Sequence, residues 1–126
     1  MGNEKILFID DEESIVNMAR QMLERLGYDV HTQMSSIEAL ALFRSKPDHF
    51  DLVITDLTMP KMTGDKLVQE ILNIRPDIPI ILCTGFSEKI DEKKAAGIGA
   101  ADYIEKPVNQ HEFAFKVRKV LDKKSV

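Results

Sequence analysis

Five short segments with strand character alternate along the chain with five segments of helical periodicity, and this alternation restricts the fold more than any other feature. The first and fourth strand segments, Lys5 to Ile9 and Ile80 to Cys83, are almost continuously apolar, which is typical of strands covered on both faces. Parallel strands joined by right-handed crossovers carry helices on both faces of the sheet. We therefore predict an α/β fold with a doubly wound, five-stranded parallel sheet and five helices.

The predicted elements are bounded by ordinary start and stop signals. Ser35 and Asn109 each precede a helix and have a glutamate three residues later, as in a capping box, whereas Gly27 ends the first helix. The predicted strands are residues 5–9, 28–32, 52–56, 80–83 and 101–105. The residues predicted to face inward from the helices are Ile15, Met18, Ala19, Met22, Leu23 and Leu26; Ile37, Leu40, Ala41 and Phe43; Leu67, Val68, Ile71 and Leu72; and Phe113, Val117, Val120 and Leu121.

The fourth helix is the weakest of the five. It is predicted from about Ser87 to Ala96, and only Ile90 and Ala95 form its apolar face. Because a helix with so little to bury is held weakly by packing, we expect it to be the most mobile of the helices.

Composition excludes several classes of protein. A chain of 126 residues, 44% hydrophobic, suits one domain over 1–126, with its core at about 5–121. A net charge of -4 argues against direct binding to nucleic acid. No apolar run approaches the roughly 20 residues of a membrane span, and no signal peptide is evident. The single cysteine, Cys83, lies in an apolar run and is interpreted as a core residue, so we expect a soluble protein of a reducing compartment, the cytoplasm.

Polar residues follow four of the predicted strands. Asp10 and Asp11 follow the first, Asp56 ends the third, Thr84 follows the fourth and Lys106 follows the fifth. In doubly wound folds, ligands bind outside the carboxyl ends of the strands. Carboxylates crowded there need a counterion, and Mg²⁺ suits a few carboxylates with room for water and phosphate. The set favours attack of the Asp56 carboxylate on a phosphorus atom while Lys106 neutralises charge.

At these positions the chain resembles the receiver domains of two-component response regulators. The matching residues are Asp10-Asp11, Asp56 with Met59-Pro60 and Gly64, Thr84-Gly85, and Tyr103 before Lys106-Pro107. The resemblance runs from about Lys5 to Leu121. It implies a flavodoxin-like sheet of order 2-1-3-4-5.

The resemblance also implies roles. Asp56 is the expected phosphoacceptor, and the expected Mg²⁺ ligands are Asp10, Asp11, Asp56 and the backbone carbonyl of Thr58. Thr84 and Tyr103 are the expected switch pair, which alters the face formed by the fourth helix, fifth strand and fifth helix. The expected donor is a histidine kinase or a histidine-containing phosphotransfer protein, and the output is a downstream protein or a covalently linked module. Beyond its own phosphorylation and slow dephosphorylation, no independent turnover is expected.

Three other functions compete with this interpretation. A phosphatase with an aspartyl-phosphate intermediate would need an acid two residues after Asp56, where the chain has Thr58. A flavodoxin-like cofactor binder would cradle phosphate in the first loop, where Asp10-Asp11-Glu12-Glu13 repels it. A degenerate receiver would serve as a phosphorylation-independent interaction module. The presence of a functional residue at all five strand-end positions argues against it; these are Asp10, Asp11, Asp56, Thr84 and Lys106.

Two further expectations concern single residues. Phe86 follows Thr84-Gly85 and is hypothesised to hinder the attacking water, which would prolong the lifetime of the acyl phosphate. The three histidines, His31, His49 and His111, show no metal-ligand spacing and are interpreted as surface or partly packed residues.

Overall fold

A computed structural model describes residues 3–85, 90–106 and 109–124, and within them five strands alternate with five helices. The strands are β1 Lys5–Ile9, β2 Asp29–Gln33, β3 Leu52–Asp56, β4 Ile80–Thr84 and β5 Asp102–Glu105. The helices are α1 Glu13–Arg25, α2 Ser36–Ser45, α3 Gly64–Ile74, α4 Glu92–Ile98 and α5 Gln110–Lys124. The predicted α/β class is confirmed. None of these helices is both long and apolar enough to cross a bilayer.

The strands form one parallel sheet of order β2-β1-β3-β4-β5, as the resemblance implied. β1 and β3 are direct neighbours, with Ile9 opposite Thr55. β4 and β5 are also neighbours, with Thr84 opposite Glu105. Because all five strands run in the same direction, the residues that follow β1, β3, β4 and β5 meet at one edge of the sheet.

Two apolar cores, one on each face of the sheet, hold the helices in place. The core beneath α2, α3 and α4 contains Leu7, Val53 and Leu82 from the strands. The core beneath α1 and α5 contains Phe8 and Ile54. Since neighbouring residues of one strand point to opposite faces, the continuously apolar strands supply both cores.

The predicted helix signals at Ser35, Asn109 and Gly27 are confirmed. Ser35 Oγ accepts a hydrogen bond from the Glu38 amide at 3.3 Å. Asn109 Oδ1 accepts from the Glu112 amide at 3.1 Å. Gly27 has φ 95°, a left-handed conformation that follows the end of α1 and favours glycine.

The predicted inward face of α2 was partly wrong. Ile37 is 47% exposed and Ala41 is also exposed, whereas Ser36 and Ala39 are buried with Leu40 and Phe43. Residues 36, 39, 40 and 43 form the stripe i, i+3, i+4, i+7, so the buried face begins at the small hydroxyl residue rather than at isoleucine. In α1, Val16 is buried although it was not predicted to be.

The start of α4 also differs from the prediction. Ile90 and Asp91 are not helical, and Asp91 caps α4 by accepting a hydrogen bond from the Lys94 amide at 2.8 Å. The predicted start at Ser87 lies outside the described residues. The apolar face of α4 is thin, as predicted, but its members are Ala95, which is buried, and Ile98, which is partly buried. Ile90 packs partly buried against the same core from outside the helix. β2 is shifted one residue toward the carboxyl end from its predicted span.

Candidate functional site

Asp10 lies directly after β1 and is completely buried. Its amide donates a hydrogen bond to the Gln33 carbonyl at 3.2 Å, which continues the β1–β2 ladder. Oδ1 accepts from the Glu12 amide at 2.9 Å. The buried Oδ2 lies 3.0 Å from the Lys106 ammonium and has no other contact of hydrogen-bond geometry with a described residue.

Asp56 is the last residue of β3, and its side chain is buried at the same edge of the sheet. The start of α3 approaches its backbone closely: a Cβ added at Gly64 would stand 2.2 Å from the Asp56 carbonyl oxygen and 2.7 Å from Leu57 Cα. The Gly64 amide also donates to the Leu57 carbonyl at 2.7 Å. The glycine therefore allows α3 to pack directly behind the Asp56 backbone.

Asp11 completes a cluster of three carboxylates. One carboxylate oxygen from each of Asp10, Asp11 and Asp56 lies within 4.8 Å of the others. Asp11 is exposed, whereas the other two are buried. Like charges at this separation raise the free energy of the ionised state unless cations offset them, so the cluster favours binding of a cation from the solvent side.

Lys106 follows β5 and bridges the two buried carboxylates. Its Nζ lies 3.0 Å from Asp10 Oδ2 and 3.1 Å from Asp56 Oδ1. Burial alone would lower the pKa of Lys106, but hydrogen bonds and charge from Asp10 and Asp56 outweigh it and raise the pKa above its ordinary value. The Lys106 amide donates to the Thr84 carbonyl at 2.8 Å, which fixes the lysine backbone against the end of β4.

The predicted switch residues lie on neighbouring strands. Thr84 is buried at the end of β4. Tyr103 is half-buried on β5, opposite Leu82, and packs against the core beneath α4. The Lys116 ammonium lies 4.6 Å from the Tyr103 ring centroid and donates to the Tyr103 carbonyl. Thr58 is an exposed residue of the loop after β3.

Cys83 is buried, as predicted, and does not have the properties of a nucleophile. Burial raises the pKa of its thiol to about 12, even though the Lys106 charge acts in the opposite direction. Reactive cysteines have a low thiol pKa, so Cys83 serves as core. Two residues of the sequence interpretation, Phe86 and Pro107, lie outside the described residues.

Two of the three histidines contact each other, which the sequence did not predict. His31 on β2 and His49 in the loop before β3 bring their Nε2 atoms to 3.4 Å from each other. Eighteen residues separate them along the chain, and no sequence spacing connects them.

Comparison with known proteins identifies the family of this chain. The family model described as "Response regulator receiver domain" matches residues 6–118. This chain belongs to the receiver domains of response regulators. The carboxylate cluster and Lys106 therefore belong to a receiver domain of the two-component signalling systems.

Similar proteins cover almost all of this receiver. It is 42% identical over 121 residues to a probable transcriptional regulator ycf27 of Porphyridium aerugineum, covering 96% of the chain and 49% of the relative. It is 34% identical to the alkaline phosphatase synthesis transcriptional regulatory protein PhoP of Bacillus subtilis, covering 98% of the chain and 51% of the relative. A crystal structure of a receiver domain protein from Clostridium thermocellum has a TM-score of 0.90 at 34% identity, covering 97% of each chain. The receiver spans about half the length of these curated relatives.

Proposed function

We propose that this receiver accepts a phosphoryl group on Asp56 in an Mg²⁺-dependent reaction and signals through the face formed by α4, β5 and α5. The observation that carries the proposal is the meeting of Asp10, Asp11 and Asp56 within 4.8 Å, with Lys106 Nζ 3.1 Å from Asp56 Oδ1. A buried nucleophile beside a fixed cation, with further carboxylates to hold a metal, is suited to phosphoryl transfer.

The carboxylates fit Mg²⁺ by their chemistry. Carboxylate oxygens, of which Asp10, Asp11 and Asp56 each supply one to the cluster, are hard donors and are the ligands that this ion takes in proteins. Asp10, Asp11, Asp56 and the backbone carbonyl of Thr58 would hold it. When bound, the ion supplies positive charge that offsets the charge of the transferring phosphoryl oxygens.

The residues of the chain perform the transfer in one displacement. An Oδ atom of Asp56 attacks the phosphorus of a phosphohistidine, the new O–P bond forms as the P–N bond breaks, and the electron pair leaves with the imidazole nitrogen. When the other ring nitrogen carries a proton, the leaving group is neutral imidazole. Lys106 holds a phosphoryl oxygen as a compact cation, and Thr84 offers a hydroxyl donor from the neighbouring strand.

The proposed switch links this reaction to a surface. The Thr84 hydroxyl turns toward the phosphoryl group, and the half-buried Tyr103 moves into the space behind it. The phosphoryl group can shift this equilibrium only through contacts that differ between the two states. Here those are the contacts with Thr84 and Lys106.

The partners follow from the chemistry and from the length of the relatives. The donor is a histidine kinase or a histidine-containing phosphotransfer protein, in the cytoplasm. Since this receiver spans about half of relatives that are named transcriptional regulators, the output is a downstream protein or a covalently linked module. Contact with nucleic acid would belong to that module, because the receiver has a net charge of -4.

Intact mass measurement tests the phosphoacceptor. The native protein is incubated with a small phosphodonor, with and without Mg²⁺, beside Asp56→Asn and the control Asp65→Asn, which changes an exposed acid on α3. One phosphoryl adduct is expected on the native protein and on Asp65→Asn, only with Mg²⁺, and none on Asp56→Asn. An unmodified native protein would instead favour the degenerate receiver.

The switch is tested separately by NMR. Phosphodonor and Mg²⁺ should shift the amide resonances of α4, β5 and α5 in the native protein. Thr84→Val keeps the shape of the side chain without its hydroxyl, so the adduct should still form while these shifts are largely lost. Full shifts in Thr84→Val would remove this threonine from the mechanism.

A further inference from the structure

A contacting pair of histidines, with an aspartate beside it, lies away from the phosphoacceptor. His31 is in the middle of the edge strand β2, where it pairs with Leu7, and His49 precedes β3, whereas Asp56 is at the other end of that strand. The two Nε2 atoms are 3.4 Å apart, and Asp29 Oδ1 is 3.6 Å from the same atom of His31.

The orientation of the two rings makes their nitrogens converge. The ring centroids are 5.1 Å apart with an interplanar angle of 82°, whereas the Nε2 atoms are only 3.4 Å apart. The two Nε2 atoms therefore lie on the facing sides of the two rings. A separation of 3.4 Å is long for a hydrogen bond, although it still allows one ring to donate to the other. It matches the roughly 3.3–3.4 Å between two nitrogens bound at about 2.0–2.1 Å to one tetrahedral Zn²⁺.

Packing holds both rings in this arrangement. The Phe50 ring is buried, and its centroid lies 5.4 Å from that of His31 and 4.9 Å from that of His49, in edge-on contacts. His31 is further fixed by the backbone ladder of β2. Rings that are already positioned lose little side-chain entropy when they bind a ligand, which favours affinity.

The site is accessible and carries a suitable third group. The side chain of His31 is 40% exposed and that of Asp29 is 56% exposed, so a metal ion can enter from solvent. The Asp29 carboxylate would have to rotate to join both histidines, because the three ligand atoms do not yet lie within 4.8 Å of one another. Imidazole nitrogen combined with carboxylate oxygen suits Zn²⁺, Cu²⁺ and Ni²⁺ rather than Mg²⁺.

We propose that His31 and His49 form a binding site for a divalent transition-metal ion, represented by Zn²⁺, with Asp29 as the third ligand and water in the open position. The site is independent of the phosphoacceptor, since it shares no residue with it. A metal ion there would join β2 to the loop before β3 and stabilise that side of the α2 layer.

Calorimetry and NMR with Zn²⁺ test the site under saturating Mg²⁺ and without phosphodonor, so that the carboxylate cluster does not contribute. The native protein should bind one Zn²⁺, and the ring nitrogen resonances of His31 and His49 should shift together. His49→Gln should weaken binding by at least about tenfold, since loss even of groups that only support a ligand costs about 10–100-fold. His111→Gln, on the exposed start of α5, is the matched control and should bind as the native protein does.

The outcomes separate a metal site from a packed histidine pair. Equal Zn²⁺ affinities of His49→Gln and His111→Gln, or Zn²⁺ binding that leaves the His31 and His49 resonances in place, would overturn the proposal. The ring resonances of the native protein decide the question even if His49→Gln folds poorly. Because no phosphorylation is measured, this result does not depend on Asp56.

Discussion

Gly64→Ala is the sharpest single perturbation of the link between the fold and the phosphoacceptor. The new Cβ would stand 2.2 Å from the Asp56 carbonyl oxygen and 2.7 Å from Leu57 Cα. Both atoms belong to the backbone, so no flexible side chain can move aside. Overpacking of a close-packed region typically costs about 1–3 kcal/mol, and the backbone contacts place Gly64→Ala at the upper end, about 2–3 kcal/mol.

Thermal unfolding followed by circular dichroism measures this loss. For a chain of this length, 1 kcal/mol corresponds to roughly 3–5 °C in Tm, so Gly64→Ala should melt about 10 °C below the native protein. Gly97→Ala is the matched control, because it adds the same methyl group to α4 at an exposed position, where no described atom beyond the adjacent residues and backbone of its own helix lies within 4 Å of the new Cβ. It should stabilise by up to about 0.5–1 kcal/mol, since alanine favours a helix over glycine.

The two variants together can refute the reasoning. If Gly64→Ala melted within about 2 °C of the native protein, a loss below 1 kcal/mol, the close approach of α3 to Asp56 would be wrong. If Gly97→Ala were equally destabilised, the loss would reflect glycine replacement in general. Under the proposed function, Gly64→Ala should also slow phosphorylation, because the relief of the clash displaces the Asp56 backbone.

Three further predictions concern charge and burial. Lys106→Met should lower the free energy of unfolding by about 3 kcal/mol in Mg²⁺-free urea denaturation, because it leaves two buried carboxylates without their cation; a loss below about 0.5 kcal/mol would contradict the bridge. Cys83, whose thiol pKa burial raises to about 12, should resist aromatic disulfide reagents at about pH 8 in the native state and react fully in urea; rapid native labelling would place it elsewhere. Glu4 accepts from Arg118 Nη2 at 2.8 Å, which lowers the pKa of Glu4 below its ordinary 4.5. Its stabilisation is present above that value and is lost as pH falls through the lowered pKa, so Glu4→Gln should destabilise by about 0.5–1 kcal/mol at neutral pH and by almost nothing near pH 2; a pH-independent difference would exclude the ion pair.

Much of the site could be predicted from the sequence because strand ends in a parallel sheet share an edge. Asp10, Asp56 and Lys106 were placed together from the apolar runs that precede them, and the structure brings them within ion-pair distance. The helix starts at Ser35 and Asn109 carry local capping signals, so they too were predictable. The sheet order was different, since it came from the family resemblance rather than from the residues.

What the sequence did not reveal depends on tertiary contacts. The buried stripe of α2 begins at Ser36. From the sequence alone the neighbouring Ile37 is the more hydrophobic residue, so it was predicted to face inward in place of the serine. Asp91 caps α4, but the residues around it are charged. Because they show no helical periodicity of apolar residues, the sequence does not locate the first residue of this helix. His31 and His49 meet only because β2 and the loop before β3 lie on the same side of the sheet, a relation that sequence spacing does not encode.

The hydrogen bond from the Lys106 amide to the Thr84 carbonyl makes two distant stretches of sequence mechanically dependent on each other. A loop grafted after β4 would be expected to change the placement of the ammonium as well as the hydroxyl, because the tie between the two peptides is only 2.8 Å long. Anyone who redesigns the receiver as a phosphate sensor would therefore have to treat both loops as one part.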